Sequence, residues 1–355
     1  MVFLCRWFLI FSALVFGGTP VFAASAREDR AYAAATSAFQ DEMWSRAETE
    51  FAQFVAKYPK STNVAEAVLL QAQAEFKQKK FEEAIELLSI KRTEAGKLAD
   101  QYNYWIGESQ FQNGDFSAAA ETFILLAKNF PESSLRLRAV VEAASAQAQL
   151  GEWPQVITLL QETKGVFEQA AQADPVGDLV ARGRLLLAQA KFAQKDFSGA
   201  TAILQLLAAE PLKTELDWRR AYLLCQVKLA AGDLDTALAT TTNLLQIARS
   251  EQDDRLRAES VALRAGILEK LDRPQEAIAA YQENLVTNTP SARQREAVLK
   301  IAELAIAQKQ FSDAEQSIET YLAQFPGSPA ADVADCAAAR PPDHNSARSR
   351  RYLPR

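Results

Sequence analysis

The sequence predicts an all-α chain in which one helical hairpin is written about eight times. Three observations predict it. Apolar residues recur at helical spacing, as in Val68, Leu69, Ala72 and Phe76, then Phe81, Ala84, Ile85 and Leu88, and no run alternates with the period of two that a half-buried strand requires. An aromatic-x-x-Ala element returns at near-constant intervals, each time with a small residue twelve positions before its alanine. Glycines, aspartates and prolines fall where such helices must turn, begin and stop.

The chain opens with "MVFLCRWFLIFSALVFGGTPVFA", which carries one early arginine and an apolar run from Trp7 to Phe16. That run is too short to span a bilayer, and Val21-Phe22-Ala23 has the small-residue ending of a cleavage site. Residues 1–23 therefore read as a secretory signal, with Ala24-Ser25-Ala26 as a second cleavage point; the alternative is a retained membrane anchor. Of three cysteines, Cys5 lies in the signal, while Cys225 and Cys336 are far apart and form no CxxC pair. Zinc and dithiol chemistry are not expected, and Cys225 reads as a small core residue.

The repeat is anchored on Ala47, Ala84, Ala119, Val156, Ala200, Ala237, Ala277 and Ala314, at intervals of 37, 35, 37, 44, 37, 40 and 37. Twelve residues before them stand Ala35, Ala72, Gly107, Ala144, Ala188, Cys225, Ala265 and Ala302. Three before them stand Trp44, Phe81, Phe116, Trp153, Phe197, Leu234, Pro274 and Phe311. Aromatics are 9% of the chain yet fill six of these eight slots, so the period is not an accident of alanine abundance, and a fixed period of this size marks a stacked-repeat architecture. Small residues on both helices let the two axes approach closely. Gly114, Gly151 and Gly232 are placed to end first helices with positive φ. Asp115, Asp196 and Asp233 stand where second helices need an N-cap. Pro59, Pro131 and Pro326 stop second helices. Sixteen helices are expected. The interval of 44 reads as a lengthened second helix and a Pro-Val-Gly-Asp loop within "QETKGVFEQAAQADPVGD", and suggests two sub-arrays, residues 28–176 and 177–334, or else a surface insertion.

The stretch "YWIGESQFQNGDFSAAAETFILLAKNFPES", Tyr104 to Ser133, resembles the tetratricopeptide repeat (TPR) family. Gly107, Gly114, Ala119, Phe123 and Pro131 stand where that family has its signature residues. The resemblance covers roughly residues 28–334. The intervals exceed the family's 34-residue period, and the tryptophan and tyrosine of the first helix are mostly replaced. It implies an α-solenoid of about eight TPR-like hairpins forming a right-handed superhelix. The same stretch is similar to repeats of exported bacterial cell-envelope proteins, which implies a role in envelope assembly or cell-wall and division coordination.

Composition narrows the function further. Residues 24–336 hold 33 basic and 44 acidic side chains, and an acidic body without a basic stripe is not that of a nucleic-acid binder. The only histidine is His344, and no HExxH, GxSxG, GxGxxG or P-loop pattern occurs. No catalytic residue, metal site, cofactor or small-molecule substrate is expected. The expected partner is a protein or peptide, and in a helix-hairpin solenoid the first helices line the concave face. On them, an aromatic and aliphatic ridge includes Tyr104, Phe111, Phe192 and Tyr222, and three consecutive repeats place Arg138, Arg182 and Arg219 on one ridge. The predicted groove would hold a segment carrying apolar anchors and carboxylates, since the arginine fork grips a carboxylate through two hydrogen bonds. Against it stands the reading that the aromatics are inter-repeat packing and the arginines solvated.

After Asp335 the text changes to "CAAARPPDHNSARSRRYLPR". Residues 335–355 read as an irregular basic tail, or as a frameshift or truncation that removed further chain. Two rivals to a soluble periplasmic scaffold follow from these ends. One is the superhelical arm of a cell-wall enzyme without its catalytic domain. The other is a membrane-tethered outer-membrane assembly factor.

Overall fold

The computed structural model describes residues 20–324 apart from 163, 176 and 209–211. Most of the signal and all of the basic tail, with Pro326, lie outside the described residues. Seventeen α-helices and two 3₁₀ turns (92–94 and 96–98) occur, with no strand among the described residues. In order they are α1 (Pro20–Gln40), α2 (Trp44–Lys57), α3 (Val64–Lys77), α4 (Phe81–Ile90), α5 (Ala99–Asn113), α6 (Phe116–Asn129), α7 (Arg136–Gln149), α8 (Trp153–Gln161) and α9 (Val166–Ala173). They continue as α10 (Asp178–Ala193), α11 (Phe197–Ala208), α12 (Thr214–Ala230), α13 (Leu234–Glu251), α14 (Asp254–Lys270), α15 (Pro274–Gln282), α16 (Ser291–Ala307) and α17 (Phe311–Gln324).

The chain divides into two compact units between Ala146 and Gln147, inside α7. In the first, α1 to α6 pack each on the next; in the second, α10 to α17 do the same. Within each unit first helices also touch the following first helix, as α3 touches α5 and α12 touches α14. This makes a layer of first helices beside a layer of second helices. The 44-residue interval lies within the second unit.

The slot three before each anchor is the first residue of every second helix: Trp44, Phe81, Phe116, Trp153, Phe197, Leu234, Pro274 and Phe311. The anchors are buried, seven of them at 0% exposure and Ala314 at 4%, and their small partners are buried too. In the sixth hairpin the Cys225 thiol donates to the carbonyl of Ala237 at 3.3 Å, an approach that a larger side chain would block. Gly107 shows the same constraint, because a Cβ there would lie 2.7 Å from the Phe123 ring.

Every hairpin turns by one backbone device. Five residues before each anchor stands a residue with positive φ: Glu42, Lys79, Gly114, Gly151, Lys195, Gly232, Asp272 and Lys309. Its N–H bonds back three residues, and the next N–H bonds back five, as in Gly114 N–H to Phe111 O (3.1 Å) and Asp115 N–H to Gln110 O (2.8 Å). All eight turns repeat this pair of bonds, the Schellman closure that satisfies the last carbonyls of a helix. The three expected glycines fit it. Five turns use a side-chain-bearing residue instead, at a cost of about 1 kcal/mol or more each.

Two expectations are corrected. The lengthened second helix is two helices: α8 stops at Gln161, Lys164 takes φ 60°, and α9 begins after Gly165. The Glu168 carboxylate reaches back to the N–H of Lys164 at 2.6 Å, which fastens the start of α9 much as a capping box does. Phe167 then seats α9 against Gly183 of α10, where any Cβ would overlap its ring. The aspartate caps also differ. Asp196 does accept the N–H of Gly199 at 2.9 Å. Asp233 stands at the N-cap of α13 and bonds Thr236 there as well as pairing with Lys228 at 3.4 Å. Only Asp115 departs, accepting from the Asn113 side chain at 2.8 Å; sharp closure by the left-handed turn already fixes where α6 begins.

Two outcomes are expected in urea unfolding. Lys79→Gly and Lys195→Gly should each raise stability by roughly 0.5–1 kcal/mol by relieving the left-handed strain, while Gly114→Ala lowers it by at least as much. Gly183→Ala should cost roughly 1–3 kcal/mol through overpacking, and Phe167→Leu in the same chain should recover part of that loss.

Candidate protein-binding face

The first-helix layer carries a repeating contact between neighbouring hairpins. A tyrosine three residues before the small position of one first helix meets the charged residue six before the small position of the next. Tyr32 of α1 meets Glu66 of α3, Tyr104 of α5 meets Arg138 of α7, and Tyr222 of α12 meets Glu259 of α14. The spacing follows from helix geometry, since residues three apart share a face. Burial, reinforced by Glu66, pushes the Tyr32 hydroxyl up to about 12. Burial and then the Glu108 carboxylate raise that of Tyr104, with Arg138 opposing. Burial and then Glu259 raise that of Tyr222. All three hydroxyls stay protonated at neutral pH and can donate.

In the first unit Tyr104 lies between Glu108, one turn along its own helix, and Arg138. Burial raises the Glu108 carboxyl above the usual carboxylate range, against the pull of Tyr104 and Arg138. Trp105 packs edge-on against Tyr104 (5.9 Å between centroids) and against Phe76 of the preceding hairpin (5.2 Å). Tyr104 also tilts onto Phe123 at 5.9 Å. Asp100, Gln101, Tyr104, Trp105, Ser134, Leu135 and Arg138 line a recess of about 400 Å³. The helices around it are tied down: the Tyr102 hydroxyl of α5 donates to Ala65 O of α3 at 2.7 Å, and the Arg136 side chain of α7 donates to Ala127 O of α6 at 3.0 Å.

In the second unit Tyr222 stacks on Trp218 at 4.8 Å, and the Trp218 indole donates to Ser260 at 3.0 Å. The neighbouring charge is internally matched, because Arg293 bonds both Glu259 and Glu296. Arg219 is exposed and pairs with Glu215 at 2.6 Å, one turn back on α12. Arg182 is exposed on α10.

The structure thus brings Tyr104 and Arg138 together and sets Tyr222 near Glu259 and Arg293, while Arg219 pairs with Glu215. Phe111 and Phe192 lie at hairpin turns, half-buried. Each leans on the ring five residues on, Phe111 on Phe116 at 5.1 Å and Phe192 on Phe197 at 6.0 Å, as Phe39 leans on Trp44 and Phe76 on Phe81. These pairs clasp the Schellman turn in four hairpins. The slot of Trp105 holds Ala33, Leu70, Glu142, Leu186, Leu223, Leu263 and Lys300 in the other hairpins, mostly aliphatic, so the repeat pattern does not mark it for binding. Its one signal is adjacency to Tyr104.

Among the described residues no cluster of three or more metal-binding side chains occurs, and no helix is long and apolar enough to cross a membrane. Cys225 is fully buried and its thiol is pushed up to about 12 by that burial, so it holds too little thiolate at neutral pH to act as a nucleophile.

Helical hairpins that set a layer of first helices beside a layer of second helices, with a polar-aromatic first-helix face, define a helical repeat protein of the interaction type. Tetratricopeptide repeat models match residues 32–96, 264–329 and 102–133. A tetratricopeptide repeat protein from Parabacteroides merdae is similar in structure (TM-score 0.54, 13% identity, 77% of this chain and 98% of that one). So is the C-terminal part of a TPR repeat-containing protein from Cytophaga hutchinsonii (TM-score 0.54, 16% identity, 74% and 98%). A chain of Naa15/Naa10 bound to HypK-THB aligns over 86% of this chain at 20% identity and TM-score 0.41, and this chain spans 43% of its length. No curated protein matches. The chain carries tetratricopeptide repeats over these three stretches, and such repeats generally serve as scaffolds for protein–protein interaction.

With Cys5 and Cys336 replaced by serine, Cys225 should stay unreactive toward a thiol-disulfide reagent at pH 8 in the native state and react at the rate of global unfolding in denaturant. Fast native labelling would contradict its burial.

Proposed function

We propose that the chain is an exported scaffold that holds a segment of another cell-envelope protein on its first-helix face, in envelope assembly or in coordinating cell-wall synthesis with division. The tyrosine–charge contacts between successive hairpins carry the reading. They concentrate half-buried aromatic surface and polar groups on one layer, the composition that protein interfaces favour. The second-helix layer offers scattered apolar residues such as Ile124 and Leu125 instead. Export rests on the signal-like text of residues 1–23, and the periplasm is proposed with it. No catalytic role is assigned to this chain.

Two measurements test the proposal. Mass spectrometry of the chain from its native cell fraction should find a mature start at Ala24 or Arg27; an intact Met1 would overturn cleavage and favour the tethered alternative. Affinity capture from envelope extracts should recover a partner that is lost from Tyr104→Ala/Arg138→Glu and kept by Leu125→Lys, with helicity unchanged in all three. Equal capture by all would move the interface off this face.

A further inference from the structure

We propose that the recess over Trp105 in the first unit is a subsite for an internal acidic residue of the bound segment, next to an aliphatic one. It deepens, and rests on, the reading that the first-helix layer is the binding face. The recess has an apolar wall, formed by Trp105, Tyr104 and Leu135, and one cation, Arg138, which is exposed at its edge. Its other charged lining residue is already engaged: the Asp100 carboxylate accepts the Ser133 hydroxyl at 2.6 Å and the Gln101 N–H at 2.8 Å. Glu108, beside Tyr104, is held toward its neutral form by burial. The Tyr104 hydroxyl donates to Glu108 and accepts from Arg138, which holds the guanidinium in place at the edge. A carboxylate there therefore meets the remaining donors of a guanidinium fork, a charge-assisted pair stronger than a neutral hydrogen bond. An adjoining leucine-sized side chain fills the space against Trp105. About 400 Å³ is room for a few side chains, and the walls are helix faces along which a chain runs past, so an internal residue fits better than a chain end. Glu142, one turn beyond Arg138 on α7 and also near Tyr104, competes with the ligand carboxylate.

The test uses the full chain and three acetylated, amidated peptides, Gly-Ser-Leu-Glu-Ser-Gly and its Gln and Lys variants. Binding is read by NMR from the Trp105 indole N–H and the Arg138 Nε–H. The Glu peptide should shift both signals saturably, and the Gln peptide should bind about tenfold more weakly. Arg138→Gln, an exposed change that keeps a good helix former, should abolish the Glu–Gln difference. Glu142→Gln should tighten the Glu peptide. Equal shifts by Glu and Gln, preference for Lys, or no shift at either signal would overturn the subsite. If the subsite fails while a captured partner is still lost on Tyr104→Ala, the broader face reading stands; if that loss is absent too, both fall.

Discussion

Everything in this molecule depends on how closely two helices can pass. At each hairpin a small residue in the first helix and a small residue in the second are buried together, and closely passing helix axes let larger side chains interdigitate around them. That proximity demands a very short connection. A short connection demands that the first helix end abruptly, with its last carbonyls satisfied on the spot. The left-handed residue five before each anchor does this in all eight turns. The anchor, the turn and the start of the second helix are one device, and the intervals between anchors are the intervals between turns.

The same constraint sets where side chains become available for binding. Small residues occupy the helix–helix seam, so the large residues of the first helices project to either side of it. Those one turn before the seam, Tyr32, Tyr104 and Tyr222, lie against the next first helix and meet its early charged residue. Those one turn after it, Phe39, Phe76, Phe111 and Phe192, are drawn back to the turn by the ring that opens the second helix. Aromatics from one helix thus divide into a set that joins hairpins and a set that closes them.

Electrostatics separate the tyrosine contacts from one another. Tyr32 and Tyr222 face glutamates, and the second of these is matched by Arg293. Tyr104 faces an arginine, with its own Glu108 desolvated beside it. Buried and matched charge contributes to register between repeats, whereas the Arg138 guanidinium is exposed at the edge of an apolar recess. The proposed recognition therefore centres on one contact among three.

Fold class, repeat period and helix starts were legible in the sequence, because they are local. A helix is written in its own spacing of apolar residues, and the residue three before each anchor is the first residue of a second helix without exception. The α9 insertion carried a legible signal too, Gly165 followed by Glu168, but it was masked by the expectation of one continuous helix. The turns were legible only where glycine marked them. At Glu42, Lys79, Lys195, Asp272 and Lys309 the left-handed backbone is imposed by packing on either side, and no side chain announces it. Which arginine meets which tyrosine was likewise beyond the sequence: Arg138, Arg182 and Arg219 occupy one slot of the repeat, yet Arg138 meets Tyr104 of α5, Arg219 pairs with Glu215 of its own helix and Arg182 is exposed. Local pattern determines what each element is; the distance between elements, set by close packing of small residues, decides which groups share an environment.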